Sequence, residues 1–376
     1  MTQDKTNKVS NVPPLRFPEF TGEWEKCTLG EIMSYSKDRV PSNTLTDDNY
    51  VSTENMLPHF GGIYRAPNVP SNGNAIAYQK GDTLLSNIRP YLKKVWLANN
   101  NGGCSADVFV LKSVNEKCNS DFLYYLVAND NFINYVMNGA KGVKMPRGDK
   151  EQIKKYQLSI PSKNEQCKIT DLLSKLDQRI STQIRVIDKL ESLIKGIYQK
   201  VFESSDANYL PLAQLCTIQK GEQVNSEGLT ETGDYYVMNG GITPSGYYSR
   251  YNSVADTISV SEGGNSCGYV QYNTECFWSG GHCYTLIDVN QSISKCYLYH
   301  YLKYKEKEIM ALRIGSGLPN IQKKDLSKFP ILILPLSEQQ CVANLLQLIA
   351  EKIKVEKDNL NHLSQQKAYL LQNMFI

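Results

Sequence analysis

Histidine is scarce in this 376-residue chain: four residues, His59, His282, His300 and His362. A serine or cysteine nucleophile wants an imidazole base beside it, and His282 next to Cys283 is the sole adjacency. Neighbours on a strand point to opposite faces, so that pair reads as structural. A GxxxxGK[ST] phosphate loop is also missing, which leaves no basis for a nucleotide-driven motor. The run Gly263-Gly264-Asn265-Ser266-Cys267-Gly268 is only superficially like a dinucleotide-binding loop. It leads into the strand-like Tyr269-Val270-Gln271-Tyr272, where such a loop needs a helix N-terminus. The Asp/Asn-Pro-Pro-aromatic tetrapeptide of an amino-methyltransferase is lacking, and Val12-Pro13-Pro14-Leu15 does not qualify. No catalytic residue, and so no enzyme, is expected.

The ten cysteines include no CxxC pair. Their scatter through a long chain predicts reduced thiols and a cytoplasmic setting. Cys267, Cys276, His282 and Cys283 come nearest to a metal cluster, but their spacing fits no zinc pattern, and no metal is expected. No stretch approaches the roughly 18 apolar residues of a membrane span, and Met1 to Asn11 carries no apolar signal core. Excess charge is lacking too: the net value is +3 and the pI about 8.2, so any basic surface must be local. What is present is 41% apolar residues and 24 tyrosines, enough for real cores and for half-buried strands. The length suits two domains plus extra elements.

An internal repeat organises the chain. Residues 142–202 lie over 315–375 without a gap, 142 onto 315 giving a constant offset of 173. Gly142 falls on Gly315, Pro146 on Pro319, Glu165-Gln166 on Glu338-Gln339 and Phe202 on Phe375. After Pro161 the apolar residues Ile169, Leu172, Leu176, Ile180, Ile184, Ile187, Leu190, Ile194, Ile197 and Val201 form one stripe of a helix about 50 Å long. The second copy keeps Val342, Leu345, Ile349, Ile353, Leu360, Leu363, Leu370 and Met374, but breaks at Lys357 and Lys367. A stripe this narrow suits a coiled-coil seam. Helix pairing is therefore expected through Leu172, Leu176, Ile180, Ile187 and Leu190 against Leu345, Ile349, Ile353, Leu360 and Leu363. The bland alternative is two independent surface helices.

The segments before each helix are related with drifting offsets, Tyr50-Val51 to Tyr236-Val237 and Asp82-Thr83-Leu84 to Asp256-Thr257-Ile258. Their loops are rich in Gly, Asn and Ser, and short β-type runs such as Val108 to Leu111 and Thr257 to Val260 lie between them. The fold class expected is α+β: two β-rich mixed domains, 1–160 and 205–335, each followed by a long helix, 161–204 and 336–376. One scaffold with two divergent loop sets suits two different reading tasks.

Several loops carry chemistry suited to nucleic acid. Asn87, Arg89, Tyr91, Lys93 and Lys94 follow a probable strand, and Lys141, Lys144 and Arg147 precede the first long helix. Arg313, Asn320 and Gln322 occupy the repeat of that second loop, and Asn239, Arg250, Asn265 and Ser266 are further candidates. Arg, Asn and Gln can pair with base edges, Lys with phosphates.

The order Leu15-Arg16-Phe17-Pro18-Glu19-Phe20, Gly22-Glu23-Trp24, Leu29-Gly30-Glu31-Ile32, Gly81-Asp82-Thr83-Leu84-Leu85-Ser86 and Ile88-Arg89-Pro90 is followed by Ile160-Pro161 with Glu165-Gln166. Leu334-Pro335 with Glu338-Gln339 repeats the last motif. This pattern resembles the specificity subunits of type I restriction–modification enzymes over nearly the whole chain. The resemblance implies two target-recognition domains, each reading one half of a split site in double-stranded DNA. It implies that the helices form an antiparallel coiled-coil spacer and dock two methyltransferase subunits. S-adenosylmethionine would sit on those partners, with none bound by this chain, and a motor and nuclease subunit would complete the complex. A ~50 Å rod exceeds one DNA turn of roughly 34 Å, enough to hold readers on successive grooves. The polar breaks at Lys357 and Lys367 depart from a uniformly apolar seam and leave those lysines to face a partner or solvent. The competing readings are a helical scaffold whose end domains bind protein, and a small nuclease or hydrolase, for which no acidic or histidine constellation exists.

Overall fold

The structure, a computed structural model, describes residues 11–114, 116–142, 144–203, 208–225, 228–315, 317 and 319–376. The first stretch runs β1 (Glu25–Thr28), α1 (Leu29–Ile32), β2 (Met33–Tyr35), β3 (Arg39–Pro41), β4 (Tyr50–Val51), β5 (Asn74–Tyr78) and β6 (Thr83–Ser86). Then come β7 (Val95–Leu97), β8 (Gly102–Cys104), β9 (Val108–Ser113), α2 (Ser120–Val127), α3 (Asp130–Asn138), α4 (Lys150–Lys154), β10 (Gln157–Ile160) and α5 (Lys163–Phe202). The second stretch runs β11 (Asn208–Pro211), β12 (Thr217–Lys220), β13 (Tyr235–Met238), β14 (Tyr247–Tyr248), β15 (Thr257–Ser261) and β16 (Val270–Asn273). It ends with β17 (Trp278–Ser279), β18 (Cys283–Ile287), α6 (Lys295–Tyr304), α7 (Glu306–Ala311), α8 (Lys323–Ser327), β19 (Pro330–Ile333) and α9 (Leu336–Asn373).

The chain divides into two compact units, Met1–Thr182 with Leu360–Ile376, and Gln183–Asn359. In the first, a four-stranded sheet in the order β2-β9-β6-β7 has helices on one face and the sheet β3-β5-β8-β4 on the other. The period of two along the strands creates these layers. Leu85, Phe109 and Leu111 enter a core with Phe122, Leu126 and Phe132 of α2 and α3, whereas Leu84, Val108 and Val110 join Val51, Met56 and Tyr78. The second unit repeats the central sheet as β12-β18-β15-β16. Ile258, Val260, Tyr284 and Leu286 face Tyr297, Tyr301 and Leu302 of α6. On the reverse face Ser259, Ser261 and Thr285 are buried, and the Asn273 side chain donates to the Ser259 hydroxyl and the Thr257 carbonyl. A two-stranded antiparallel clasp closes each unit: Cys27 opposite Leu158 in one, Leu210 opposite Ile331 in the other.

Each unit also contains antiparallel helix halves. In the first, Ile169 and Leu173 share a core with Met374 and Phe375, while Lys367 pairs with Asp177 at 2.6 Å. In the second, Phe202 shares a core with Ala343, Gln183 bonds Glu356, and Lys357 reaches Glu191 at 2.8 Å. The two lysines that interrupt the apolar stripe thus pair with carboxylates on the facing helix. Of the pairing residues expected from sequence, Leu176, Ile187, Ile349 and Ile353 are buried, and Ile180, Leu190, Leu360 and Leu363 are half-buried. Leu172 and Leu345 are corrected: both are exposed, and the adjacent Leu173 and Leu346 are buried in their place. Near its start each helix is held against its own domain as well as the other helix, which rotates the buried face by one position.

The Glu-Gln dipeptide explains how that start is fixed. Gln166 donates to the Lys117 and Pro161 carbonyls and accepts from the backbone N–H of Asn119, the residue that caps α2. Gln339 donates to the Ser292 and Leu334 carbonyls and accepts from the N–H of Ser294, the cap of α6. Both glutamines are completely buried. The preceding glutamates differ. Glu165 is buried and receives a two-pronged Arg16 guanidinium at 2.6 and 2.7 Å plus the Trp24 indole N–H; Glu338 is exposed.

Candidate nucleic-acid interface

In the first unit two of the expected loops meet. Beyond the β6–β9 pairing, the Asn87 N–H donates to the Asp107 carbonyl at 2.8 Å, and the Gly148 N–H to the Asn87 carbonyl at 3.2 Å. Ile88 pairs antiparallel with Arg147, and the Arg89 N–H donates to the Pro146 carbonyl at 2.8 Å. The second loop is closed by reciprocal bonds between Lys141 and Arg147, both 2.9 Å. Gly142 turns that closure at φ +97°, a left-handed backbone that glycine adopts without steric cost.

The second unit builds the same cradle. The Glu262 N–H donates to the His282 carbonyl at 2.9 Å, the Ile321 N–H to the Glu262 carbonyl at 2.8 Å, and the Gly264 N–H to the Pro319 carbonyl at 3.0 Å. Gly263 pairs with Asn320, and Ile314 and Asn320 close the loop at 2.8 and 3.0 Å. Gly315 stands at φ +101°, the counterpart of Gly142.

The structure sorts the predicted side chains. Arg89, Tyr91, Lys141, Lys144 and Arg147 are exposed on the first cradle. Lys141 is paired with Asp149, whose carboxyl is held down at about 2 by that lysine and the N–H groups opening α4. Two residues are corrected as free contacts. Lys94 is half-buried with its ammonium on the Thr53 carbonyl at 2.6 Å, and burial lowers its pKa; Lys93 is paired with Asp130 at 2.7 Å. Asn87 is half-buried, its Oδ1 enclosed without a partner. Arg89 and Lys93 adopt left-handed backbone, as do His59 and Phe60, whose N–H groups bond Leu92 and Lys93. Four strained residues thus lie along one surface, the kind of cluster found at functional sites.

In the second unit Asn265, Arg313, Asn320 and Gln322 are exposed on the cradle, and Ser266 is half-buried. Asn239 is corrected to a structural role: its side-chain oxygen accepts the His282 backbone N–H at 3.0 Å. Arg250 is exposed and follows β14 of the smaller sheet, apart from the strands that carry the cradle. Sequence reasoning missed Asp107, Glu262 and the positioned His282. Asp107 lies 3.5 Å from Arg147. Glu262 is buried under Lys220 at 2.6 Å and the Tyr284 hydroxyl at 3.1 Å, with His282 Nδ1 3.7 Å away. Only strand register brings these residues together, so spacing carried no signal for them.

All ten cysteines are free thiols. Burial pushes Cys283 up to about 11. Among the described residues no group of three His, Cys, Asp or Glu side chains could hold a metal, and no helix is long and apolar enough to cross a membrane.

Two copies of one mixed α/β unit, each with an exposed loop cradle, define a protein built by internal duplication. The model of the type I restriction–modification DNA specificity domain matches residues 21–192 and again 205–365. The chain belongs to that family, whose members are DNA-recognition components and not catalysts. It is 33% identical over 145 residues to a protein of Mycoplasma pneumoniae assigned as a type I specificity subunit, a match covering 38% of either chain. It is 22% identical to the MjaVIII specificity subunit of Methanocaldococcus jannaschii, across 98% of this chain and 95% of that one. The crystal structure of a type I system S subunit from Mycoplasma genitalium shares the fold at 19% identity, with a TM-score of 0.73 over 97% of this chain and 99% of that one.

Proposed function

We propose that this chain reads a bipartite site in double-stranded DNA, one half through each cradle, and that its helices fix the spacing and dock methyltransferase subunits. The observation that carries the reading is the duplicated cradle: the same backbone bonds recur, while the exposed side chains differ. A duplicated scaffold with unlike side chains suits two unlike half-sites. Lys144, Arg89 and Arg313 supply positive charge for phosphates, which position a protein without reading sequence.

Helix α9 supports the docking part. Leu345, Leu348 and Val355 lie on one face at helical spacing and are 47%, 65% and 51% exposed. Such a stripe on a charged helix suits a protein partner. Adenine methylation, with its S-adenosylmethionine, belongs to that partner, and a motor and nuclease subunit joins when the complex cuts.

The test is co-expression with the methyltransferase subunit of the same system, co-purification, and mapping of methylated sites. A split motif made only with both chains present is the expected result. Methyl transfer by the isolated chain would refute the reading.

A further inference from the structure

The two cradles correspond bond for bond, so their side chains can be compared position by position. The first position follows the central strand: Asn87 in one unit, Glu262 in the other. Both enclose a side-chain oxygen that has no hydrogen-bond partner, Asn87 Oδ1 and Glu262 Oε2. The second position precedes the neighbouring strand: Asp107 or His282. Each reaches a side chain of its own cradle, Asp107 lying 3.5 Å from the Arg147 guanidinium and His282 Nδ1 3.7 Å from Glu262 Oε2. The third position ends the glycine-turned loop: Arg147 or Asn320, both exposed.

We infer that the third position reads a base in each recognition domain and that the first two positions shape and orient it. Arg147, steered by Asp107, matches guanine in one half-site, and Asn320, bridged to Gly263 on the cradle that also holds His282 near Glu262, matches adenine in the other. The inference rests on the DNA-reading function proposed above and says which side chains carry it. The chemistry favours bases over phosphates at this spot. In the first cradle Asp107 beside Arg147 offsets the guanidinium charge that a phosphate would need, and in the second Asn320 has no charge to attract one. The guanidinium fork fits the O6 and N7 acceptors of guanine, and a carboxamide fits adenine N6 and N7. Oε2 of Glu262 is sealed from solvent, so it acts on DNA only through His282, whose side chain is 62% exposed. Glu262 is therefore a positioning residue.

The experiment maps methylated sites made by the complete complex of this chain with its methyltransferase partner. Wild type is compared with Arg147→Ala, Arg147→Lys, Asn320→Ala and the paired exchange His282→Asp with Asn320→Arg. These side chains are exposed, so the variants should assemble. Arg147→Ala should relax one position of one half-site, a preference of roughly tenfold or more falling towards parity, while Arg147→Lys, which keeps donors for guanine, should retain part of it. Asn320→Ala should do the same in the other half, and the exchange should place guanine there. A uniform loss at all sites with unchanged motif, in Arg147→Ala or in Asn320→Ala, would identify phosphate or structural contacts and overturn the inference. A wild-type complex that yields no split motif would instead refute the function itself, and the inference with it.

Discussion

Replacing Gln339 by alanine tests the physical meaning of the Glu-Gln dipeptide. The side chain is fully buried and serves three backbone groups: the carbonyls of Ser292 and Leu334 and the N–H of Ser294. Each buried polar group left without a partner costs about 1–3 kcal/mol. With partial relaxation the substitution should cost about 3–5 kcal/mol, a large share of a typical domain's stability. Urea denaturation is the assay, and at a slope of about 2 kcal/mol per molar the midpoint should fall by roughly 1.5–2.5 M. Gln166→Ala should act similarly on the first unit, because its three bonds are equivalent. The glutamates provide the internal contrast. Glu165→Ala strands Arg16 and should cost about 3 kcal/mol or more, whereas exposed Glu338→Ala should stay within about 0.5 kcal/mol. A loss below about 1 kcal/mol for Gln339→Ala would refute the staple.

Acid should weaken the second unit through His300. Its imidazole is buried, with Nδ1 3.0 Å from the Tyr198 hydroxyl, and burial pushes it down to about 4. An unfolded histidine protonates near 6.5 while the folded one stays neutral, so the contribution is complete above about 6.5 and lost as pH falls towards 4. Over that window it amounts to about 3 kcal/mol, and unfolding measured from pH 7 to 4 should lose this slope in His300→Phe. Leu345→Asp with Leu348→Asp should abolish co-purification with the methyltransferase while leaving the unfolding midpoint nearly unchanged; retained co-purification would remove α9 from the docking surface. Lys144→Ala should lower the salt dependence of DNA binding by about one unit of log–log slope without changing sequence preference.

The second long helix, the repeated loops and the family were legible from residue order, because periodicity and a gap-free repeat are properties of the chain itself. The local basic loops were legible for the same reason, and Arg147 and Asn320 were named from their place in the repeat. Their surroundings were not. Lys93 and Lys94 read like free cations in sequence, yet Asp130 and the Thr53 carbonyl hold them. Asn239 reads like a contact residue, yet it fixes the His282 backbone.

Sequence by itself determined that a unit of mixed strands followed by a long amphipathic helix occurs twice. It did so because apolar spacing of 3.6 or 2 specifies an element's type and its buried face. It left the finer choice open wherever two apolar residues adjoin, as Leu172 and Leu173 or Leu345 and Leu346 do. Tertiary structure decided that choice, since the domain against each helix start selects which neighbour is enclosed. It also decided which residues form a site. Asp107 and Arg147 lie 40 positions apart (107 to 147) and Glu262 and His282 lie 20 apart (262 to 282), and only strand register and the loop bridge between Ile88 and Arg147 set each pair side by side. The absence of excess charge was therefore no guide to the cradles, because a few residues on two loops change local chemistry without moving the net charge.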